Sequence, residues 1–198
     1  ARVLFGFSSD SLEEARASTA PLLTFKAAGI QLRDLFFLPV DLSYFIGEDA
    51  TFCSGEVFRR FFGTQPIASR YPSYAHFPTA EFLYEGIHTV NGTGIALDVE
   101  LKKELALLSL LLYQDAQVDE GGDPSTFDFR QGRWAADLRA ALNFRKIKLE
   151  TFLGATYPVP DAAYGYYRGG LLFYAADQGV EFLAQVGIPR WAPGAALG

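Results

Sequence analysis

Apolar residues recur with a helical period over residues 98–117, the most regular pattern in the chain. The apolar positions are separated by four, three and four residues, which would place them on one face of a helix: Leu101, Leu105, Leu108 and Leu112. Asp98 comes before them and suits an N-cap. From Leu105 to Tyr113 only Ser109 is polar. The pattern predicts a helix about 30 Å long whose second half lies in the core.

Residues 133–153 show a second pattern of the same kind. Five apolar residues would share one helix face: Trp134, Leu138, Leu142, Leu149 and Phe152. Four polar residues would lie on the opposite face: Arg139, Asn143, Lys146 and Glu150. Arg145 falls among the apolar set, where a charge must be paired with a carboxylate or contact a ligand. The segment predicts a second long helix.

The remaining segments predict shorter elements. A small β element is expected from three runs rich in β-branched and aromatic residues: 2–7, 30–38 and 87–97. The dipeptide Asn91-Gly92 in the last run is typical of a hairpin turn. Capping residues and helix stops predict four shorter helices: 11–28, 54–62, 79–86 and 171–186.

Together these patterns predict a helix-dominated α+β fold, with the helices at about 98–117 and 133–153 as its core. A length of 198 residues fits one domain, and we expect a globular part over 1–186 and an extended C-terminal arm over 187–198. A composition of 49% hydrophobic and 20% charged residues predicts a folded, soluble protein. No apolar run approaches the roughly 20 residues of a transmembrane helix.

Charge and residue usage narrow the classes of partner. A net charge of −6 argues against nucleic acid, because phosphate binding needs a basic surface. The single Cys53 excludes an internal disulfide and is typical of a small buried hydrophobe. The chain contains 18 Phe, 10 Tyr and 2 Trp, a surplus used either for packing or to contact flat apolar partners. Because the chain begins at Ala1, we expect any targeting segment to have been removed, and the compartment is undetermined.

Seven residues are candidates for ligand binding, because they could line an apolar pocket or bring a polar group into one: Tyr74, His76, Glu85, His88, Arg145, Tyr164 and Tyr167. Glu85 and His88 show the Glu-x-x-His spacing of helical di-iron sites, but the chain has no second such motif. The acidic residues between 115 and 123 do not match the calcium-loop spacing. We therefore expect no metal site, and the sequence names no cofactor and no catalytic residue.

Two functions of different classes are consistent with these features. The first is an accessory or structural subunit that packs against a larger assembly through aromatic-rich loops and the extended tail. The second is an enzyme or binding protein for a hydrophobic or aromatic small molecule, with a pocket near His76 and the tyrosines at 164–167. A third and weaker hypothesis is peripheral membrane contact through the apolar segment 35–45. The sequon Asn91-Gly92-Thr93 would accept a glycan only in a secretory compartment.

Overall fold

A computed structural model describes residues 2–9, 23–35, 38–54, 86–101, 105–118, 133–144, 146–159, 162–177 and 180–193. These residues form nine β-strands: β1 Arg2–Ser9, β2 Leu23–Leu32, β3 Val40–Phe52, β4 His88–Leu101, β5 Ala106–Asp115, β6 Trp134–Phe144, β7 Ile147–Tyr157, β8 Tyr166–Asp177 and β9 Val180–Trp191. A short 3-10 helix, Ala116–Val118, follows β5. In the described part of the chain, no helix is both long and apolar enough to cross a membrane.

The strands form a single antiparallel sheet in which every strand pairs with its neighbours in sequence. The connections alternate in length between the two ends of the sheet. At one end, named here the long-connection end, the strands are joined by residues 10–22, 53–87, 116–133 and 158–165. At the other end, the short-connection end, they are joined by residues 33–39, 102–105, 145–146 and 178–179.

The sheet is strongly curved, so that strands far apart in the pairing order come into contact. Strands β3 and β7 are four positions apart, which in a flat sheet would separate them by about 19 Å. Instead the ring centroids of Phe52 and Phe152 are 5.0 Å apart. Near the same point Gln185 of β9 donates a hydrogen bond of 2.6 Å to the carbonyl oxygen of Cys53. The concave side of the sheet therefore encloses the protein interior.

Side chains alternate between this concave inner face and a convex outer face, as the strand period of two requires. The largest buried apolar side chains lie on the inner face and pack together: Phe45, Phe52, Val90, Leu111, Tyr113, Phe152, Leu172 and Tyr174. Polar residues accompany them there, whereas large apolar residues on the outer face are exposed. This arrangement is the reverse of the one assumed for the sequence patterns, in which apolar residues face the interior and polar residues face outward.

The predicted helix-dominated α+β fold is wrong, because the described residues are almost entirely β-strand. Residues 98–117 span the end of β4 and all of β5, and residues 133–153 span β6 and part of β7. Trp134, Leu138 and Leu142 are four residues apart, and an even spacing also keeps side chains on one face of a strand. The spacing that indicated a helix therefore fits either structure.

In β5 the alternation that marks a strand is hidden, because both faces are apolar. Leu108, Leu110 and Leu112 are exposed on the outer face. Leu111 lies between Leu110 and Leu112, and Tyr113 follows Leu112. Both are buried on the inner face. If all apolar residues are assumed to be buried, such a run of leucines resembles a helix that is apolar on every side.

Several smaller predictions are also corrected. The Asn91-Gly92 pair is not a turn, because β4 continues through it and Gly92 pairs with Gly47 and Asp115 on its two neighbours. Residues 23–28 form part of β2 instead of a helix, and residues 171–186 form most of β8 and the first half of β9. The strands expected at 2–7 and near 87–97 are present in β1 and β4.

Other expectations fall wholly or largely outside the described residues. These are the helices at 11–22, 54–62 and 79–86, and the residues 194–198 of the expected arm. Residues 187–191, assigned to that arm from the sequence, pair with β8 as the end of β9.

Cys53 offers a test of this fold, because its side chain is completely buried directly after β3. Burial, and secondarily the Glu150 carboxylate, raises the pKa of the Cys53 thiol to about 12. Since the thiolate is the reactive form, we expect the folded protein to resist N-ethylmaleimide at pH 8 and to react fully after denaturation. Mass spectrometry of the adduct measures both rates.

The matched control is a C53A/E48C variant, in which the cysteine replaces an exposed residue of β3 and should react within the dead time of the same assay. Equal labelling rates for Cys53 in the folded and denatured protein would contradict the enclosed interior.

Candidate functional site

The inner face contains a buried network of polar side chains centred on Arg168 of β8. Its guanidinium makes a bidentate ion pair with Asp137 of β6, with Nε donating to Oδ1 at 2.6 Å and Nη2 donating to Oδ2 at 3.0 Å. Neither side chain is appreciably exposed. Forked contacts of this kind fix the orientation of both groups as well as their distance.

Tyr113 of β5 and His88 of β4 extend the network across two more strands. The Tyr113 hydroxyl donates to Asp137 Oδ2 at 2.7 Å and accepts from Arg168 Nη2 at 2.9 Å. His88 Nε2 lies 3.1 Å from the same hydroxyl. Because the hydroxyl hydrogen is used toward Asp137, His88 Nε2 must be the donor in this contact.

A third branch runs toward the long-connection end through Thr156 of β7. Arg168 Nη1 donates to Thr156 Oγ1 at 2.7 Å, and Thr156 in turn donates to Asp115 Oδ2 at 3.0 Å. Asp115 also lies 3.7 Å from Arg168 Nη1. The single guanidinium is thereby shared by two carboxylates on different strands.

Gly154 explains how Arg168 and Asp137 meet, although β7 lies between their strands. In the register Asp137 pairs with Gly154, and Gly154 pairs with Arg168. A Cβ atom at position 154 would collide with Asp137 Oδ1 and come within 3.0 Å of Arg168 Nε. The ion pair spans β7 because this residue has no side chain.

A second charged pair lies nearer the short-connection end. Arg139 Nε donates to Glu150 Oε1 at 2.8 Å, and the Arg139 guanidinium carbon lies 5.4 Å from the centre of the Phe52 ring. Glu150 is completely buried, and its second oxygen has no hydrogen-bond partner in the described part of the chain. Removing either partner would leave an uncompensated charge in the interior.

The outer face has the opposite character. One row of paired residues crosses eight strands without a charged side chain: Ile30, Tyr44, Ile95, Leu112, Ala136, Ala155, Tyr167 and Trp191. The next row is equally free of charge: Leu32, Leu42, Leu97, Leu110, Leu138, Leu153, Gly169 and Ile188. Leu138 is 57% exposed and Leu153 is 68% exposed. So extended an apolar surface marks a binding or membrane surface.

Aromatic residues border these rows at both ends of the sheet. Toward the long-connection end the outer face carries Trp134, Tyr157, Tyr167 and Trp191, and the Tyr167 and Trp191 ring centroids are 6.1 Å apart. Toward the short-connection end it carries Phe144, Phe173 and Phe182. The middle of the outer face is aliphatic and its margins are aromatic.

The structure separates the candidate residues taken from the sequence. His88 lies on the inner face within the network, whereas Tyr167 lies on the outer face against Trp191. Tyr164 lies between β7 and β8 and is 67% exposed. Four candidates are outside the described residues: Tyr74, His76, Glu85 and Arg145.

The main residues of the network were missed from the sequence. Tyr113 and Asp137 were assigned to predicted helices and Arg168 to no element, so their common face was not recognised. One signal was present, because Asp137 and Arg139 in β6 and Lys148 and Glu150 in β7 alternate with apolar residues at the strand period. If polar residues are taken to face inward, this pattern predicts both β6 and β7.

The network predicts that Gly154 is essential to the fold. We expect Gly154→Ala to reduce the free energy of unfolding by at least about 3 kcal/mol, because the new methyl group breaks the Arg168–Asp137 pair and leaves buried charges unpaired. Denaturant unfolding followed by tryptophan fluorescence measures the change. Gly29→Ala is the control, since its Cβ would only approach the Tyr44 carbonyl oxygen at 3.2 Å. Equal effects of the two substitutions would refute the role of Gly154.

Among the described residues, no group of three or more His, Cys, Asp or Glu side chains is arranged to hold a metal ion. Comparisons with protein-family models, with curated proteins and with solved structures give no match. The function of this protein is therefore inferred from the geometry of its own residues.

Proposed function

We propose that this protein is an integral membrane protein whose curved sheet crosses a lipid bilayer, with its outer face against the hydrocarbon. The observation that carries the proposal is the distribution of charge between the two faces. Eight charged residues of β3 to β8 lie on the inner face: Asp41, Asp98, Asp115, Asp137, Arg139, Lys148, Glu150 and Arg168. The two outer rows described above contain none.

This distribution is unfavourable in water and favourable in lipid. Leaving a large aliphatic side chain exposed to water forgoes about 1.5–3 kcal/mol that burial would contribute. Here the exposed set includes Leu108, Leu110, Leu112, Leu138 and Leu153. Hydrocarbon removes that penalty, and the inner-face guanidinium groups of Arg168 and Arg139 are paired with the Asp137 and Glu150 carboxylates instead of with solvent.

The height of the apolar region fits a bilayer. Along β6 the outer residues from Trp134 to Phe144 are all apolar and span ten positions, or about 34 Å measured along the strand. Strands that cross membranes are tilted and contain roughly 9–11 residues, and their apolar band is about 25 Å tall between two girdles of aromatic residues. The aromatic margins at Trp134 and Tyr157 and at Phe144 and Phe182 occupy the corresponding positions.

The lengths of the connections between strands also support a sheet that crosses a membrane. Sheets of this kind have short connections on one side and long ones on the other. Here residues 53–87 and 116–133 join strands at one end, whereas residues 145–146 and 178–179 join them at the other. Segments of such length commonly carry binding functions, so we assign contact with external partners to the long-connection side.

The accessory-subunit hypothesis stays a prediction, because residues 55–85, which include one of its aromatic-rich loops, lie outside the described residues. The apolar rows themselves favour lipid over a protein partner, since they continue across eight strands of a curved sheet and a protein would have to surround it. The small-molecule pocket near His76 also stays a prediction, because His76 lies outside the described residues. In place of the soluble protein expected from composition, the proposal requires insertion into lipid.

Leu138→Arg tests the lipid-facing orientation, because Leu138 lies in the middle outer row. An arginine at mid-depth of a bilayer costs about 2–4 kcal/mol, and one near the membrane interface costs about 0–1 kcal/mol. We therefore expect Leu138→Arg to reduce folding into phosphatidylcholine vesicles strongly and Phe144→Arg, at the margin, to reduce it little. Vesicle flotation and denaturant titration in lipid measure insertion and stability.

Wild-type protein must float with the vesicles and resist extraction by carbonate. Protein that folds in buffer without detergent and stays at the bottom of the gradient would refute the proposal. So would a Leu138→Arg variant as stable as Phe144→Arg, because an outer face in water tolerates the charge equally at both depths.

A further inference from the structure

A cavity of about 610 Å³ adjoins strands β2, β3 and β4 and reaches across to β6. Its inner-face lining combines polar and charged groups with an aromatic ring: Gln31, Ser43, Phe45, Asp98, Ser109 and Arg139. Phe52 completes the aromatic wall. This volume is in the range of cavities that hold small molecules.

Asp98 presents an available acceptor to this cavity. Its Oδ1 accepts a hydrogen bond from the Ser109 hydroxyl. Among the described residues no donor is bonded to Oδ2, and no cation forms an ion pair with this carboxylate within 4.0 Å. A carboxylate in a partly buried site is stabilised by a positive group that completes its hydrogen bonds.

Arg139 presents available donors to the same cavity. Its Nε is occupied by Glu150 Oε1, and its guanidinium carbon lies near the Phe52 ring. Neither Nη atom is hydrogen-bonded to another described residue. The two Nη groups can therefore donate to a ligand anion while Nε keeps Glu150 neutralised.

The two charged groups are placed on one row of the sheet. Asp98 pairs with Ser109, and Ser109 pairs with Arg139, so their backbones are two strand spacings apart, or about 10 Å. Both side chains line the same cavity, and no ion pair joins them within 4.0 Å. A small molecule with opposite charges close together can contact both groups within this cavity of about 610 Å³.

We propose that this cavity binds a small zwitterion of the amino acid class. The ligand ammonium group is held by Asp98 Oδ2, the ligand carboxylate by the Nη groups of Arg139, and its apolar part lies against Phe45 and Phe52. A ligand with one charge satisfies only one of the two groups and leaves the other without a partner. The inference goes beyond the membrane location, and the binding site does not depend on it.

The experiment is isothermal titration of the purified, detergent-solubilised protein with three ligands of similar shape. L-leucine carries both charges, isopentylamine lacks the carboxylate, and 4-methylpentanoate lacks the ammonium group. We expect leucine to bind at least about tenfold more tightly than either analogue. Equal binding of leucine and one analogue, or no leucine binding up to about 10 mM, would overturn the proposal.

Two variants assign the contacts. Asp98→Asn should weaken leucine binding at least about tenfold and leave 4-methylpentanoate binding unchanged. The double variant R139Q/E150Q removes the guanidinium without leaving Glu150 unpaired, and it should weaken leucine and leave isopentylamine unchanged. Asp177→Asn is the charge-matched control, since Asp177 pairs with Lys146 in an exposed contact away from the cavity.

Leucine binding that is unchanged in both variants would refute the assignment. Resistance of Cys53 to alkylation establishes that each variant is folded, and the ligand comparison on the wild-type protein decides the question if a variant does not fold. Vesicle flotation is measured separately, so loss of membrane insertion and loss of ligand binding are distinguished.

Discussion

The ion pair between Arg168 and Asp137 is the interaction on which the interior of this protein depends. It joins β8 to β6 across the side-chain gap left by Gly154, and through Tyr113, His88 and Thr156 it reaches three further strands, β5, β4 and β7. A slip of one residue in the pairing of β7 would move Gly154 to the other face and place a side chain between the charges. The pair therefore fixes strand register as much as it contributes energy.

The same constraint determines what can surround the sheet. Because charged and hydrogen-bonding groups occupy the inner face, the alternate residues of each strand must face outward, and these are aliphatic in the middle and aromatic at the margins. A strand that is polar on one side and apolar on the other is stable only between two different environments. Here the polar environment is supplied by the protein itself, and under the proposed function lipid supplies the apolar one.

The interior has two zones that differ in how completely their hydrogen-bonding groups are paired. Around Arg168 nearly every donor and acceptor is used within the network, so this zone is rigid and holds the fold. Around Arg139 and Asp98 hydrogen-bonding atoms remain available beside a cavity and an aromatic wall. Binding capacity is expected where the polar groups are incompletely paired, and structural rigidity where they are fully paired.

The sequence contains a signal for strands that its helical periodicity conceals. The alternation of Asp137 and Arg139, and of Lys148 and Glu150, with apolar residues indicates strands once polar residues are allowed to face inward. His88 was identified as a candidate, but its partners Tyr113 and Asp137 are 25 or more positions away along the chain, and Arg168, at the centre of the network, is farther still. Only the curvature of the sheet brings them together.

By itself the sequence determined an apolar, aromatic-rich chain, one buried cysteine, the absence of a long apolar helix among the residues that the structure describes, and the strands near residues 2–7 and 87–97. The tertiary structure alone decided which face of each strand is enclosed. The physical reason is that leucines spaced by four satisfy both helical and strand periods, and hydrophobicity reports a preference to avoid water without specifying whether protein or lipid replaces it.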